Sequence, residues 1–510
     1  MAMGDQDEVI RFLADPASHR DGSGGVERID THAAIVFLAG AEALKLKRAI
    51  RLPYLDFSTI ERRRAACERE IALNRPAAPS IYRDAVPVTR EASGALAIAG
   101  TGQPVEWLVR MWRFPDDALL ADRATRDGLA ERLLGDLAQM VAACHRRAVP
   151  HRMREAASRV DRVLRDLRAN LEGDAAALLG RARIDALGRG LEAAFAASRT
   201  VLDARGRLGC VRRCHGDLHL ANIVLLDGRP VPFDALEFDE DMATIDTLYD
   251  LAFLLMDLER RAGRPAASAV LNRYLEEIGT ATTLRGLVAL PLFLAMRAAI
   301  RAMVTLERAR RSSGGDDLTS HAGTALDLAL GYLTPAAPSL VAIGGLSGTG
   351  KSTLGRALAP HIGASPGAVH LRSDVIRKRL AGVAATTRLP AEHYGEAAAA
   401  RVYGQLALDA GAALRAGRAV VLDAVFARPG ERAAVAALAG RLGVPFHGLW
   451  LEASPERLID RVAERQGDAS DATPDVVSRQ LAYDLGPVAW TKIDASGPPE
   501  TTLAAARRHV

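Results

Sequence analysis

Cys214-His215-Gly216-Asp217-Leu218-His219-Leu220-Ala221-Asn222-Ile223 is the stretch on which the reading of this chain turns. It sets one carboxylate, Asp217, five residues before an amide, Asn222. A short apolar run then ends in Phe233-Asp234, so a second carboxylate returns after a hairpin-length spacer. Moving a phosphoryl group needs this set in this order. One carboxylate takes the acceptor's proton, and an amide and a second carboxylate hold a cation on the phosphates. Asp217 is therefore the candidate base, and Asn222 and Asp234 are candidate metal ligands. Residues 223–226 and 231–233 are expected to pair as a hairpin with Asp227-Gly228 in its turn. His215 is expected to brace the loop backbone and His219 to be structural. A chance His-Gly-Asp beside an ordinary hairpin is the bland alternative, but three polar groups at this spacing are far more specific than one motif.

Upstream, residues 34–38 and 43–47 read as a β-hairpin around Ala39-Gly40, with Ala43, Lys45 and Lys47 on one face. Ala-x-Lys is the pattern of a strand that offers a lysine to ATP phosphates, and Lys45 is preferred over Lys47. Residues 58–74 follow as a helix, with Ser58 as expected N-cap and Glu61 at the capping-box position. A helix carboxylate must orient the strand lysine. Glu68 and Glu70 point about 200° apart, and Glu70, directly before Ile71, is preferred. Strand-like pieces fill residues 96–111, and Met111 to Pro115 would link a small lobe to a helical one. Residues 116–201 carry helical periodicity. Their later part, 154–199, has no catalytic signature and is assigned to the acceptor side. Asp246 and Asp250 are expected to begin a helix. Asp250 either ties the catalytic loop from below or is a plain helix N-terminal charge. Further helices run to residue 333, broken by a polar turn at 312–317.

Thr334 to Ser339, with two prolines, is the clearest linker. After it come an apolar strand (340–343), then Gly345-Leu346-Ser347-Gly348-Thr349-Gly350-Lys351-Ser352-Thr353, then a helix. This is G-x-x-x-x-G-K-[ST] in its required context. Backbone N–H groups cradle phosphate at the helix start, Lys351 reaches the outer phosphates, and Ser352 binds Mg²⁺. A strand at 369–371 leads to Ser373-Asp374 and Arg377. Asp374 is the second candidate base, with a helix N-cap as its bland alternative, and Arg377 would hold an anionic acceptor. A strand at 419–422 ends in Asp423, a candidate metal ligand that binds the cation directly or through a group that does. A strand at 444–451 precedes a helix at 456–465. Its Arg461 and Arg465 are candidate lid arginines, with Arg461 preferred as a phosphate contact.

The bulk numbers bound these readings. A chain of 510 residues is too long for one core. The net charge of +4, from 66 basic and 62 acidic residues, counts against a nucleic-acid binder. Cys67, Cys144, Cys210 and Cys214 show neither metal-ligand spacing nor a disulfide framework, as expected of reduced thiols in the cytoplasm. The N-terminal residues lack a signal-type apolar core. Residues 287–306, the most apolar stretch, are interrupted by Arg297 and Arg301 and read as a buried helix rather than a membrane span.

Ala43-x-Lys45, His215-Gly-Asp217 to Asn222, and Asp234 resemble the aminoglycoside phosphotransferase-like branch of the protein-kinase-like fold over residues 25–330. The chain departs from that pattern before Lys45, where Asp30-Thr-His-Ala-Ala stands in place of a Gly-rich loop. Residues 338–495 are similar to P-loop kinases of the gluconate-kinase, zeta-toxin and polynucleotide-kinase type. That likeness is carried by Gly345 to Thr353, Ser373-Asp374, Val421-Leu-Asp423 and the Arg461 helix. The resemblance implies an α+β bilobal domain over residues 1–335, with a small lobe to about 111 and a helical lobe over about 116–333. An α/β P-loop domain with a mainly parallel sheet follows over 336–510. The expected activity is a bifunctional ATP- and Mg²⁺-dependent transfer of γ-phosphate to hydroxyl groups of small molecules, one site per domain. Two alternatives are a nucleotide-binding half that regulates the other, and a second half that phosphorylates nucleic-acid ends. Neither the acceptors nor the oligomeric state is legible.

Overall fold

The apolar alternation around Lys45 becomes the middle of a six-stranded antiparallel sheet. A computed structural model describes residues 3–19, 24–52, 55–311, 315–464 and 468–510. The chain divides into two compact units, Met1–Arg152 with Gly209–Asp257, and Met153–Leu208 with Leu258–Val510. This division runs differently from a cut at 335/336, because the later helices of the first region cluster with the P-loop region.

The strands of the first unit are β1 Val26–Asp30, β2 Ala34–Ala39, β3 Glu42–Lys47, the two-residue pair β4 Arg51–Leu52 and β5 Leu55–Asp56, β6 Tyr82–Arg90, β7 Leu96–Ile98 and β8 Gln103–Trp112. The sheet order is β1-β2-β3-β8-β6-β7. Its two faces follow from alternation along each strand. Leu44 and Leu46 pack with Val9 and Leu13 of helix Met3–Ala14, whereas Ala43 and Val109 pack with Cys67 of helix Ile60–Asn74. Lys45 and Lys47 share the Ala43 side and so face the helix that carries Glu70. Buried Arg63 on that helix pairs with Glu106 of β8 at 2.8 Å, which fixes helix against sheet. The N-cap is Thr59, whose side chain accepts from the Arg62 N–H. The expected cap, Ser58, instead bonds Asp56 at 2.6 Å. The link at Met111 begins later than expected, since Met111 and Trp112 close β8.

In the same unit, β9 Val211–Arg213 leads into the loop that carries His215 to Asn222, and β10 Ile223–Leu226 and β11 Arg229–Pro232 form the expected hairpin. Asp227 (φ 49°) and Gly228 (φ 73°) both take left-handed conformations, as a two-residue hairpin turn demands. Asp246 does not begin a helix. It ends β12 Thr244–Asp246, which pairs with β9, and its carboxylate accepts the Leu248 N–H at 2.8 Å at the start of helix Thr247–Ala262.

The second unit joins long helices to a five-stranded sheet. The helices are Ala156–Leu171, Arg181–Arg207, Arg264–Ile278, Leu290–Arg311 and Gly315–Leu333. The polar turn expected at 312–317 falls partly outside the described residues, and Gly315 already starts a helix. Among the described residues one stretch, Ala281–Arg310, is long and apolar enough to cross a membrane, and 67% of its apolar window is buried inside the protein. The sheet contains β13 Leu340–Gly344, β14 Val369–Arg372, β15 Val420–Asp423, β16 Phe446–Glu452 and β17 Thr491–Asp494. All its pairings are parallel, in the order β14-β15-β13-β16-β17. β13 is buried along its whole length, as a central parallel strand covered on both faces must be. The carboxyl ends of β13, β14 and β15 deliver Gly345, Asp374 and Asp423 to one side of the sheet, where open α/β sheets bind ligands.

Candidate active sites

In the first unit, the Lys45 ammonium lies 2.9 Å from Glu70 and 2.6 Å from Asp234, joining strand, helix and hairpin. Burial works against the Lys45 charge, but Asp234 and then Glu70 outweigh it and hold its pKa well above that of an ordinary lysine. Lys47 is also buried and takes the other Glu70 oxygen at 2.6 Å, together with Glu237. Burial pushes the Glu70 pKa up, and Lys45 and Lys47 pull it further down, so the carboxylate stays charged. Exposed Glu68 pairs with Arg64 on its own helix. The sequence patterns therefore pick out Lys45 and Glu70, but they miss that Glu70 serves two lysines.

Asp234 has φ 60°, a strained conformation for a residue with a side chain. Two side chains hold it there. The Tyr82 hydroxyl accepts its N–H at 3.0 Å, and the Asn74 amide oxygen accepts the Ala235 N–H at 2.7 Å. Neither residue shows itself in the sequence. The one visible sign of the Lys47 contact is a carboxylate, Glu237, three residues beyond Asp234.

Within the catalytic loop, the Asn222 amide nitrogen donates to Asp217 Oδ2 and to the Asp217 carbonyl, both at 3.0 Å. The amide oxygen is then the atom that Asn222 can offer to a cation. His215 accepts the Asp217 N–H on Nδ1 at 3.3 Å and donates from Nε2 to the Phe233 carbonyl at 2.9 Å, bracing the loop as expected. Burial lowers its pKa, which keeps Nδ1 an acceptor. His219 accepts the Ala221 N–H on Nδ1 at 3.2 Å, stands 3.4 Å from Asp217 through Nε2, and stacks edge-on against Phe253. Asp250 does tie the loop: one oxygen accepts the Gly216 N–H at 2.9 Å and the other lies 3.1 Å from His145 Nε2. Gly216 needs its φ of 85°, and an added Cβ would press on Leu236 at 3.1 Å. Cys214 lies against His145 and Asp250, but burial raises its thiol pKa well above normal, so it is an inert packing thiol.

β1 and β2 are joined by Thr31-His32-Ala33, closed by a hydrogen bond from the Thr31 N–H to the Ala34 carbonyl at 2.9 Å. Arg48 fastens this turn by donating to the Thr31 carbonyl at 3.2 Å and by pairing with Asp30.

In the second unit, the phosphate loop runs from β13 into helix Lys351–Leu358. Gly348 has φ 87°, and a Cβ there would lie 2.5 Å from the Leu458 carbonyl oxygen, so only glycine fits. Lys351 donates to the Leu346 carbonyl at 2.9 Å, across the loop it is expected to serve. The Ser347 N–H is held by the Gln480 side chain at 2.8 Å, a partner 133 residues away that the sequence does not reveal. Ser352 Oγ donates to Asp423 Oδ2 at 2.5 Å, so the two candidate metal ligands meet at one point. Both offer oxygen, the donor type that suits Mg²⁺. Asp374 sits at the start of helix Ser373–Leu380; burial and then the Asp423 charge raise its pKa, against the pull of Arg372, Lys351 and Arg377. Arg377 donates to the His393 carbonyl at 2.7 Å and lies over the Tyr394 ring.

A cavity of about 420 Å³ opens beside the loop, lined by Gly348, Thr349, Gly350, Thr353 and Arg461 among others. Arg461 lines this cavity and donates to the carbonyls of Ala495 (2.8 Å) and Gly497 (3.2 Å). Arg465 lies outside the described residues. A second cleft of about 420 Å³, lined by Arg168, Glu172, Arg181 and Glu192 among others, contains no group of either centre.

Comparison with known proteins places a different family over each candidate site. Residues 57–287 match the family described as "Phosphotransferase enzyme family", and residues 340–484 match the "AAA domain" family. "Uncharacterized protein Rv2004c" of Mycobacterium tuberculosis is 31% identical over 502 residues, covering 94% of each chain. Among solved structures, a gluconokinase from Sinorhizobium meliloti aligns with 34% of this chain and 93% of its own, at 21% identity and a TM-score of 0.24. A choline/ethanolamine kinase family protein from Mesorhizobium loti aligns with 65% of this chain and 99% of its own, at 16% identity and a TM-score of 0.35. The chain belongs to the family of its mycobacterial relatives, and in it a region of the phosphotransferase enzyme family is followed by a P-loop domain of the AAA family.

Proposed function

We propose that this phosphotransferase has two catalytic centres, each moving the γ-phosphate of ATP to a hydroxyl group of a small molecule. Lys45 carries the reading. Its simultaneous contact with Glu70 and Asp234 brings together the strand lysine, helix carboxylate and hairpin carboxylate that phosphoryl transfer requires.

In the first centre, Asp217 accepts the proton of the acceptor hydroxyl as the new O–P bond forms and the bond from the γ-phosphorus to the β–γ bridging oxygen breaks, releasing ADP. Lys45 neutralises phosphate charge, and Glu70 keeps it aimed. Asn222 and Asp234 would hold the cation, which when bound neutralises charge on the transferring group. In the second centre Asp374 takes the proton. Its raised pKa makes it a better proton acceptor than an ordinary aspartate. Lys351 and the loop N–H groups hold the phosphates, and Ser352 and Asp423 would hold Mg²⁺. Most of the catalysis comes from position and charge rather than covalent chemistry.

Calorimetric titration of the full chain with a non-hydrolysable ATP analogue and Mg²⁺ tests the arrangement. Two binding events are expected, one removed by Lys45→Met and the other by Lys351→Met. A single event, lost in only one variant, would refute it.

A further inference from the structure

Helix Arg264–Ile278 lies within the phosphotransferase match, yet its contacts serve the P-loop sheet. Asn272 and Glu276 are four residues apart and share a helix face. Asn272 grips the outer edge of β14. Its Oδ1 accepts the His370 N–H at 2.7 Å, and its Nδ2 donates to the Ala368 carbonyl at 3.1 Å. β14 is an edge strand, and this one side chain supplies ladder partners that an edge lacks. The contact extends to either side: Arg264 donates to the Gly363 carbonyl and Arg379 to the Gly279 carbonyl, both at 2.6 Å.

One turn beyond Asn272, Glu276 Oε1 stands 3.7 Å from the guanidinium of Arg372, the last residue of β14. Arg372 is buried and lies among three carboxylates, with Asp468 at 2.6 Å and Glu276 and Asp423 each at 3.7 Å. Among the described residues its Nε makes no hydrogen bond, and it stands 3.7 Å from Asp423 Oδ2. An arginine closed onto Asp423 would compete with a cation for that carboxylate. Glu276 and Asp468 draw the guanidinium the other way.

We propose that Glu276 and Asn272 are positioning residues of the P-loop centre: they hold β14 and keep Arg372 from closing on Asp423, so the second centre depends on a helix of the first region. The inference rests on Ser352 and Asp423 being the cation ligands. Glu276 touches neither nucleotide nor acceptor and acts through Arg372.

The test uses the full chain carrying Asp217→Ala, which silences the first centre. ATP turnover is measured against Mg²⁺ concentration with and without Glu276→Gln. Outer partners of metal ligands usually matter by about 10- to 100-fold, and Glu276 is one contact further out. The half-saturating Mg²⁺ concentration should therefore rise by about 3- to 10-fold. The KM for ATP at saturating Mg²⁺ should change less than about twofold, and the shift should vanish in an Arg372→Gln background, as coupled residues require. An unchanged Mg²⁺ dependence in folded Glu276→Gln protein would overturn the proposal, even if its Tm fell. So would an equal shift with and without Arg372. If the Asp217→Ala parent turns over no ATP with any member of a broad panel of hydroxyl compounds, the two-centre reading fails on its own. Mg²⁺-dependent binding of a fluorescent ATP analogue then judges Glu276→Gln by the same criterion.

Discussion

Lys47 meets Glu70 at 2.6 Å, on the carboxylate oxygen that Lys45 does not take. The two lysines are thus separable by experiment. Lys45 faces Asp234, whereas buried Lys47 faces Glu237. Lys45→Met should lower turnover at the first centre by at least about 100-fold while leaving Tm nearly unchanged, because Glu70 keeps Lys47 as partner. Lys47→Met strands Glu237 and should destabilise the protein by about 3–5 kcal/mol, the usual result of removing one partner from a buried pair. Thermal denaturation beside steady-state kinetics separates the two outcomes.

The same carboxylate gives a pH prediction. Glu70 is held below its ordinary value of 4.5, so the stability it contributes is complete above that value and is lost as pH falls toward its folded pKa. Glu70→Gln should therefore be most destabilising at neutral pH. Its deficit relative to the native chain should shrink as pH falls from about 4.5 toward about 2, because there the unfolded native chain takes up a proton that the folded carboxylate still refuses. Urea titrations across that range measure the difference, and a deficit independent of pH would exclude the ion-pair explanation.

Asp250 organises the catalytic loop without reaching the reacting atoms. Asp250→Asn leaves one acceptor oxygen for two donors, the Gly216 N–H and the His145 ring. Hydrogen bonds to charged groups contribute about 1.5–3 kcal/mol. The kcat of the first centre should fall by about 10- to 100-fold, with the KM for ATP nearly constant, since the Lys45 contacts are intact. Kinetics in an Asp374→Ala background provide the reading.

Gly348→Ala probes the second centre alone. The added Cβ meets the Leu458 carbonyl at 2.5 Å in a conformation only glycine adopts comfortably. ATP should no longer stabilise the second unit thermally, while turnover at the first centre continues.

How much of this was legible depends on how local the physics is. Asp217, Asn222 and Asp234 are set by a loop and a hairpin of two dozen residues, and the phosphate loop by one strand–helix junction. Such units declare themselves through spacing and turn chemistry. The supports do not. Tyr82 reaches Asp234 across 152 residues of sequence, and Gln480 reaches Ser347 across 133. Nothing in a tyrosine or a glutamine marks it for that contact. Asp246 was misplaced into a helix because strand β12 is only three residues long and too short to show alternation. Ser58 and Thr59 are equally good caps by composition, and the choice fell to Thr59 because Asp56 occupies the Ser58 hydroxyl.

The central claim is that two carboxylates, Asp217 and Asp374, each serve their own phosphotransfer reaction. The most direct measurement is transfer of radiolabelled γ-phosphate from ATP to a broad panel of hydroxyl compounds by the full chain, by Asp217→Ala, by Asp374→Ala and by the double variant. The account predicts that each single variant loses one labelled product and keeps another, and that the double variant labels nothing. Loss of every product in one single variant, with no loss in the other, would contradict it.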